Sequence, residues 1–116
     1  MTPTANYVAG KIDLTAGVVG NLLDMIRDPI NGINPNCPGS ATEFTLRADP
    51  ANAGAIAVGA ASPVGGPLSA TNYAYLLTAT SPPRIYRSTY PGNSTPLGDL
   101  QVLASSAAVL HVEVQA

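Results

Sequence analysis

The chain holds one histidine, His111, and one cysteine, Cys37, so acid–base or nucleophilic chemistry would have to run through them or through its seven carboxylates. His111 lies in Val109-Leu110-His111-Val112-Glu113-Val114, where strand alternation puts Val109, His111 and Glu113 on one face. A His–Glu pair there could be half a metal site or an acid–base couple; the plainer reading is a surface or interface imidazole beside a carboxylate. A Ser–His–Asp triad would also need His111, yet no serine sits in a Gly-x-Ser-x-Gly elbow. Cys37, in the turn-rich stretch Asn34-Pro35-Asn36-Cys37-Pro38-Gly39, can form neither an internal disulfide nor a metal cage. Nothing in the sequence points to a histidine or helix N-terminus beside it that would activate the thiol, so it reads as a small buried side chain. Asp13, Asp24, Asp28, Glu43, Asp49, Asp99 and Glu113 are scattered. Asp28-Pro29-Ile30-Asn31-Gly32 lacks the spacing and terminal Glu of a calcium loop. Asp28, Asp49 and Asp99 stand where aspartate makes turns. Gly59, Gly65 and Gly66 make no phosphate-binding motif. The expectation is a protein that is not an enzyme, with no catalytic, cofactor or metal residues.

The tyrosines say more. Five of them, Tyr7, Tyr73, Tyr75, Tyr86 and Tyr90, outnumber a single Phe, and Trp is absent. Tyr73 and Tyr75 share a strand face, and Arg84, Tyr86, Arg87 and Tyr90 form an Arg/Tyr-rich patch between prolines. Tyr and Arg are the residues that anchor interfaces, which makes these six the candidate contact residues. Stacking on a sugar is one rival reading; tyrosines lining a small core with their hydroxyls at its rim is another.

The elements that would position these residues are mostly strands. Residues 1–6 read as an extended arm and Tyr7 to Leu14 as a first strand. Val18, Val19, Leu22, Leu23 and Ile26 form an apolar stripe with helical spacing, so a short helix near residues 17–27, capped by Thr15 and stopped by Asp28-Pro29, competes with an irregular strand. Four turn dipeptides make residues 28–40 a long loop. Beyond it, Glu43–Ala48, Gly54–Gly59, Tyr73–Ala79 and Arg84–Arg87 read as strands. Leu100–Ala104 and Val109–Val114, flanking Ser105-Ser106-Ala107-Ala108, read as a hairpin, with Leu110, Val112 and Val114 facing the core. Six to seven short strands split by Pro/Gly loops predict a mainly β fold, a sandwich or small barrel centred on residues 41–116.

The length, 116 residues, allows one domain. Apolar residues make up 46% of it, enough for a core, while charged residues make up only 10%, against about 25% in an average soluble domain. Such a surface is either covered by Ser, Thr, Asn, Gly and Pro or hidden against partners. Five unclustered basic residues and a net charge of −2 argue against nucleic-acid binding. No apolar run of membrane-spanning length occurs. The N-terminus has no charged or apolar leader region, as expected of a cytosolic translation product.

Residues 54–116 resemble the small decoration, or cement, proteins of tailed bacteriophage heads. The resemblance lies in Val58-Gly59-Ala60, the loop Ser69-Ala70-Thr71-Asn72 with the strand after it, and the ending Pro96-Leu97-Gly98-Asp99-Leu100-Gln101-Val102-Leu103-Ala104 followed by Val109–Val114. It implies a jelly-roll-like sandwich, a homo-oligomer (dimer or trimer), made in the host cytoplasm and placed on the outer surface of the virion, where it clamps neighbouring major capsid protein subunits. A carbohydrate- or receptor-binding β-sandwich of a phage fibre or tail is the alternative.

Overall fold

Alternation of buried and exposed side chains decides most of the architecture. In the computed structural model, which describes residues 7–60, 68–69, 71–87 and 95–115, ten strands occur. They are β1 (Tyr7–Leu14), β2 (Val19–Asn21), β3 (Ser40–Ala41), β4 (Glu43–Ala48), β5 (Ile56–Ala60), β6 (Tyr75–Leu77), β7 (Arg84–Arg87), β8 (Thr95–Pro96), β9 (Leu100–Ala104) and β10 (Ala108–Gln115). Eight of them build two four-stranded antiparallel sheets, in the orders β1-β10-β4-β7 and β2-β9-β5-β6, and β3 pairs β8 apart from these. The expected arm at residues 1–6 and Tyr90 lie outside the described residues.

Each sheet turns one face to the other. Val8, Ile12 and Leu14 of β1, Phe44, Leu46 and Ala48 of β4, and Leu110, Val112 and Val114 of β10 meet Ile56, Val58, Leu77, Val102 and Ala104 in a single core cluster. The connections β1–β2, β4–β5, β6–β7 and β9–β10 all pass from one sheet to the other, whereas β5 and β6 pair as neighbours. Eight strands rolled up in this way make a jelly-roll sandwich, so the mainly β expectation holds with eight main strands in place of six or seven. The sandwich also starts earlier than residue 41, because β1 pairs with β10 along its whole length, from Tyr7 opposite Gln115 to Leu14 opposite Ala108.

Two expectations need correction. Leu100–Ala104 and the last strand do not form a hairpin: β9 pairs with β2 and β5, and β10 with β1 and β4. Ser105-Ser106-Ala107 carries the chain across the core between Ala104 and Ala108, both buried. The stretch has none of the Asn-Gly or Asp-Gly chemistry of a tight hairpin. Central β10, rich in β-branched residues, has both of its edges taken by other strands. The second correction concerns residues 17–27. Val19–Asn21 is a strand, and only Leu22–Arg27 is helical (α1). Thr15 is not its cap. Gly17, at φ +76°, turns the chain so that Val19 pairs with Leu103, and the Asn21 side chain then accepts from the Asp24 amide at 3.2 Å. Asp28 ends the helix as expected: its carboxylate accepts from the amides of Ile30 (2.9 Å) and Asn31 (3.2 Å), which hold its pKa below the ordinary value. Leu22 and Ile26, one turn apart, are fully buried against the sandwich.

Charge is divided between the sheets. The strands β2, β9, β5 and β6 contain no Asp, Glu, Lys or Arg at all. The other four strands carry Lys11, Asp13, Glu43, Arg47, Arg84, Arg87 and Glu113, and also His111. We refer to them as the neutral and the charged sheet.

Candidate interface

Among the described residues β6 and β7 are terminal strands of the neutral and charged sheets, and the contact of Tyr75 with Tyr86 puts them on the same side of the sandwich. Three of the six expected contact residues converge there. Tyr86 projects inward from β7 and stacks on Phe44, with ring centroids 4.6 Å apart and planes 14° from parallel. Its hydroxyl donates to that of Tyr75 on β6, and the two rings lie 6.2 Å apart. The Arg84 guanidinium lies 4.8 Å from the Tyr75 ring centroid and 5.9 Å from that of Tyr86. This cation–π cluster bolts the two sheet edges together. Burial, and then the hydrogen bond from Tyr86, push the Tyr75 phenol far up, so it stays neutral.

The other expected residues stand apart from this cluster. Arg87 points to the outer face of the charged sheet, 3.5 Å from Glu43 and largely exposed. Tyr73 is 42% exposed and lies beside Gly59 on the neutral sheet. Tyr90 lies outside the described residues. A sugar stacking on Tyr86 would find one ring face already taken by Phe44.

A second surface, not anticipated from the sequence, adjoins this edge. Val19, Leu103, Ala57 and Leu76 lie opposite one another across all four strands of the neutral sheet. Val19 and Leu76 are exposed, Leu103 is half-buried and Ala57 is buried, and Val18, just before β2, is 59% exposed. Gly17, Ala55 and Ser105 join Ala57, Leu76 and Leu103 around a shallow apolar hollow of about 380 Å³. The signal in the sequence was the adjacent apolar pairs Val18-Val19, Ala57-Val58, Leu76-Leu77 and Val102-Leu103, since strands apolar on both faces lose their alternation.

His111 takes a different partner from the one its strand suggested. Its Nε2 lies 2.8 Å from Asp49 Oδ2, so the imidazole pairs across to the β4 end and not with Glu113. The Ala51 amide at 2.8 Å and the His111 hydrogen bond, in that order of size, hold the Asp49 carboxyl below the ordinary aspartate range. A carboxylate whose folded pKa is depressed stabilises the fold above its unfolded pKa of about 3.9 and loses that contribution as pH falls through the folded value. Denaturant midpoints of the wild type and Asp49→Asn should therefore differ most at neutral pH and converge below about pH 4. A constant gap down to the most acid stable pH would contradict the pairing. Cys37 is buried, and burial raises its thiol pKa against the opposing pull of Arg27, which fits a structural cysteine. Among the described residues, no three His, Cys, Asp or Glu side chains come together as metal ligands would.

No family model, no curated protein and no solved structure matches this chain.

Proposed function

We propose that the chain is a structural virion protein that decorates a bacteriophage capsid and stabilises it by bridging major capsid subunits, acting as a homo-oligomer. The observation that carries this reading is the neutral sheet. Its outer face presents an apolar row in which Val19 and Leu76 are exposed, Leu103 is half-buried and Ala57 is buried, and which ends at β6, the terminal strand among the described residues, on a chain otherwise short of charge. Apolar surface rimmed by polar residues marks a site meant to be covered, and a shell protein needs contact area and symmetry more than a reactive centre. The jelly roll supports the reading only as a fold that capsid proteins also use, since it serves lectins and cupins too.

Purified chain mixed with capsids lacking their decoration should bind saturably and raise the temperature at which the shell disassembles. Leu76→Asp and Leu103→Asp, on the outer face of the sheet, should abolish binding while the circular dichroism of the sandwich persists. A chain that stays monomeric at high concentration and leaves such capsids bare would sink the reading.

A further inference from the structure

The outer face of the charged sheet holds a groove of about 400 Å³, within the range of roughly 300–1,000 Å³ typical of small-ligand sites. Its construction follows from register. Lys11 on β1, His111 on β10 and Arg47 on β4 lie directly opposite one another, forming a row of nitrogen-bearing side chains across three strands. One row along, Ala9, Glu113 and Thr45 face one another in the same way. Ala9, with the backbone of Gly10, leaves the floor low between longer neighbours, and Pro83 forms an apolar wall.

The polar groups around this floor are unevenly committed. His111 is held by Asp49, which fixes the imidazole and occupies its Nε2. The Asp49 carboxylate is taken up by His111 and by the Ala51 amide, with Arg47 adding its charge nearby. Among the described residues, Arg87 pairs with Glu43 and the His111 imidazole hydrogen-bonds to Asp49, so Lys11, Arg47 and Glu113 enter the groove without an ion-pair partner. Two cations and one carboxylate thus frame a concave floor with apolar patches. An ammonium and a guanidinium on the two strands that flank β10, one on either side of His111, suit a carboxylate, which Arg can bind through two parallel hydrogen bonds. Glu113 accepts hydrogen bonds and repels a second negative charge, so the site suits a monoanion bearing hydroxyls better than a phosphate dianion.

We propose that this groove binds a sugar acid, a hexuronate-like unit whose carboxylate sits between Lys11 and Arg47, whose hydroxyls donate to Glu113, and whose ring lies along Ala9 and Pro83. Binding there does not depend on whether the neutral face docks on a capsid.

The test is a titration of the isotope-labelled chain followed by amide chemical shifts. The ligands are glucuronate and galacturonate, with glucose and galactose as neutral parents, acetate as a bare carboxylate and inorganic phosphate as a dianion. The uronates should produce saturable shifts confined to β1, β4 and β10 around the groove, and the neutral sugars should bind at least about tenfold more weakly. Lys11→Met and Arg47→Met, each checked for an unchanged fold, should weaken uronate binding by about tenfold to a hundredfold. Glu113→Ala, which removes the acceptor, should erase the preference for uronates over acetate. The site would be overturned by the absence of saturable shifts at millimolar uronate, or by Lys11 and Arg47 variants that bind as well as wild type. Glucose, acetate or phosphate binding as tightly as the uronates would overturn the ligand class.

Discussion

Phe44→Ala is expected to destabilise the chain by about 3–5 kcal/mol, the usual range for deleting a buried aromatic ring. Against a total stability of roughly 5–15 kcal/mol for a domain of this kind, that is a large share. The side chain is fully buried on β4, between Val114 of β10 and Tyr86 of β7. Its removal leaves a cavity bounded by two paired strands that cannot close toward each other without breaking ladder hydrogen bonds, so relaxation recovers little of the loss. The effect also travels. Tyr86 loses the surface it stacks on, and with it the orientation that aims its hydroxyl at Tyr75 and brings both rings beneath Arg84. Urea denaturation should show the lower midpoint, and the tyrosine environment in near-ultraviolet circular dichroism should change even in the folded variant. Phe44→Leu, which keeps most of the volume, should cost clearly less. A loss below about 1 kcal/mol for Phe44→Ala would mean the stack contributes far less than its burial implies.

Which parts of this structure could be read from the sequence depended on whether a strand has one wet face. Glu43-Phe44-Thr45-Leu46-Arg47-Ala48 alternates cleanly because it belongs to the charged sheet, and its observed bounds match the expectation. The same alternation placed Leu110, Val112 and Val114 in the core and His111 outside it. In the neutral sheet the code fails. Leu76-Leu77 and Val102-Leu103 place apolar residues on both faces, and β6 shortens to Tyr75–Leu77 from the expected Tyr73–Ala79. The hairpin reading failed because proximity in sequence is only one route to pairing. In a rolled sandwich, consecutive strands face one another across the core, and the one sign of this in Ser105-Ser106-Ala107 is that it lacks the Asn-Gly or Asp-Gly chemistry of a tight hairpin. Of the contact residues, Tyr75 was legible with Tyr73 on one strand, and Arg84 and Tyr86 with Arg87 and Tyr90 in a separate patch. The meeting of Tyr75 with Arg84 and Tyr86 depends on two sheet edges that only the topology brings to one side. The Lys11–His111–Arg47 row was invisible for a similar reason: three residues far apart in the chain became neighbours through the register of β10.

Gly32→Ala should be the second severe change, with a loss at or above the upper end of the roughly 1–3 kcal/mol typical of overpacking. A methyl group at Gly32 would meet Asp28 O at 2.4 Å, Ile26 O at 2.6 Å and Asp28 N at 2.7 Å. All three are backbone atoms of the helix end, so no side chain can swing aside to make room. The two carbonyl oxygens are already engaged: the Gly32 amide donates to Asp28 O at 2.9 Å, and the Ile33 and Asn34 amides donate to Ile26 O at 2.8 and 3.0 Å. Opening this turn would strip the carbonyl caps from the last turn of α1. It would also lift Ile33, whose side chain comes so close to Gly10 of β1 that a methyl there would lie 2.9 Å from Ile33 Cγ2. The two glycines therefore work as a pair, one letting the chain turn tightly after the helix and the other leaving the hollow into which Ile33 packs. Hydrogen exchange separates this mechanism from general loosening. In Gly32→Ala, protection should fall first at the amides of Ile33, Asn34 and α1 and next along β1, while β4 and β7 keep theirs. Uniform loss across both sheets would instead mean that the turn acts only through global stability.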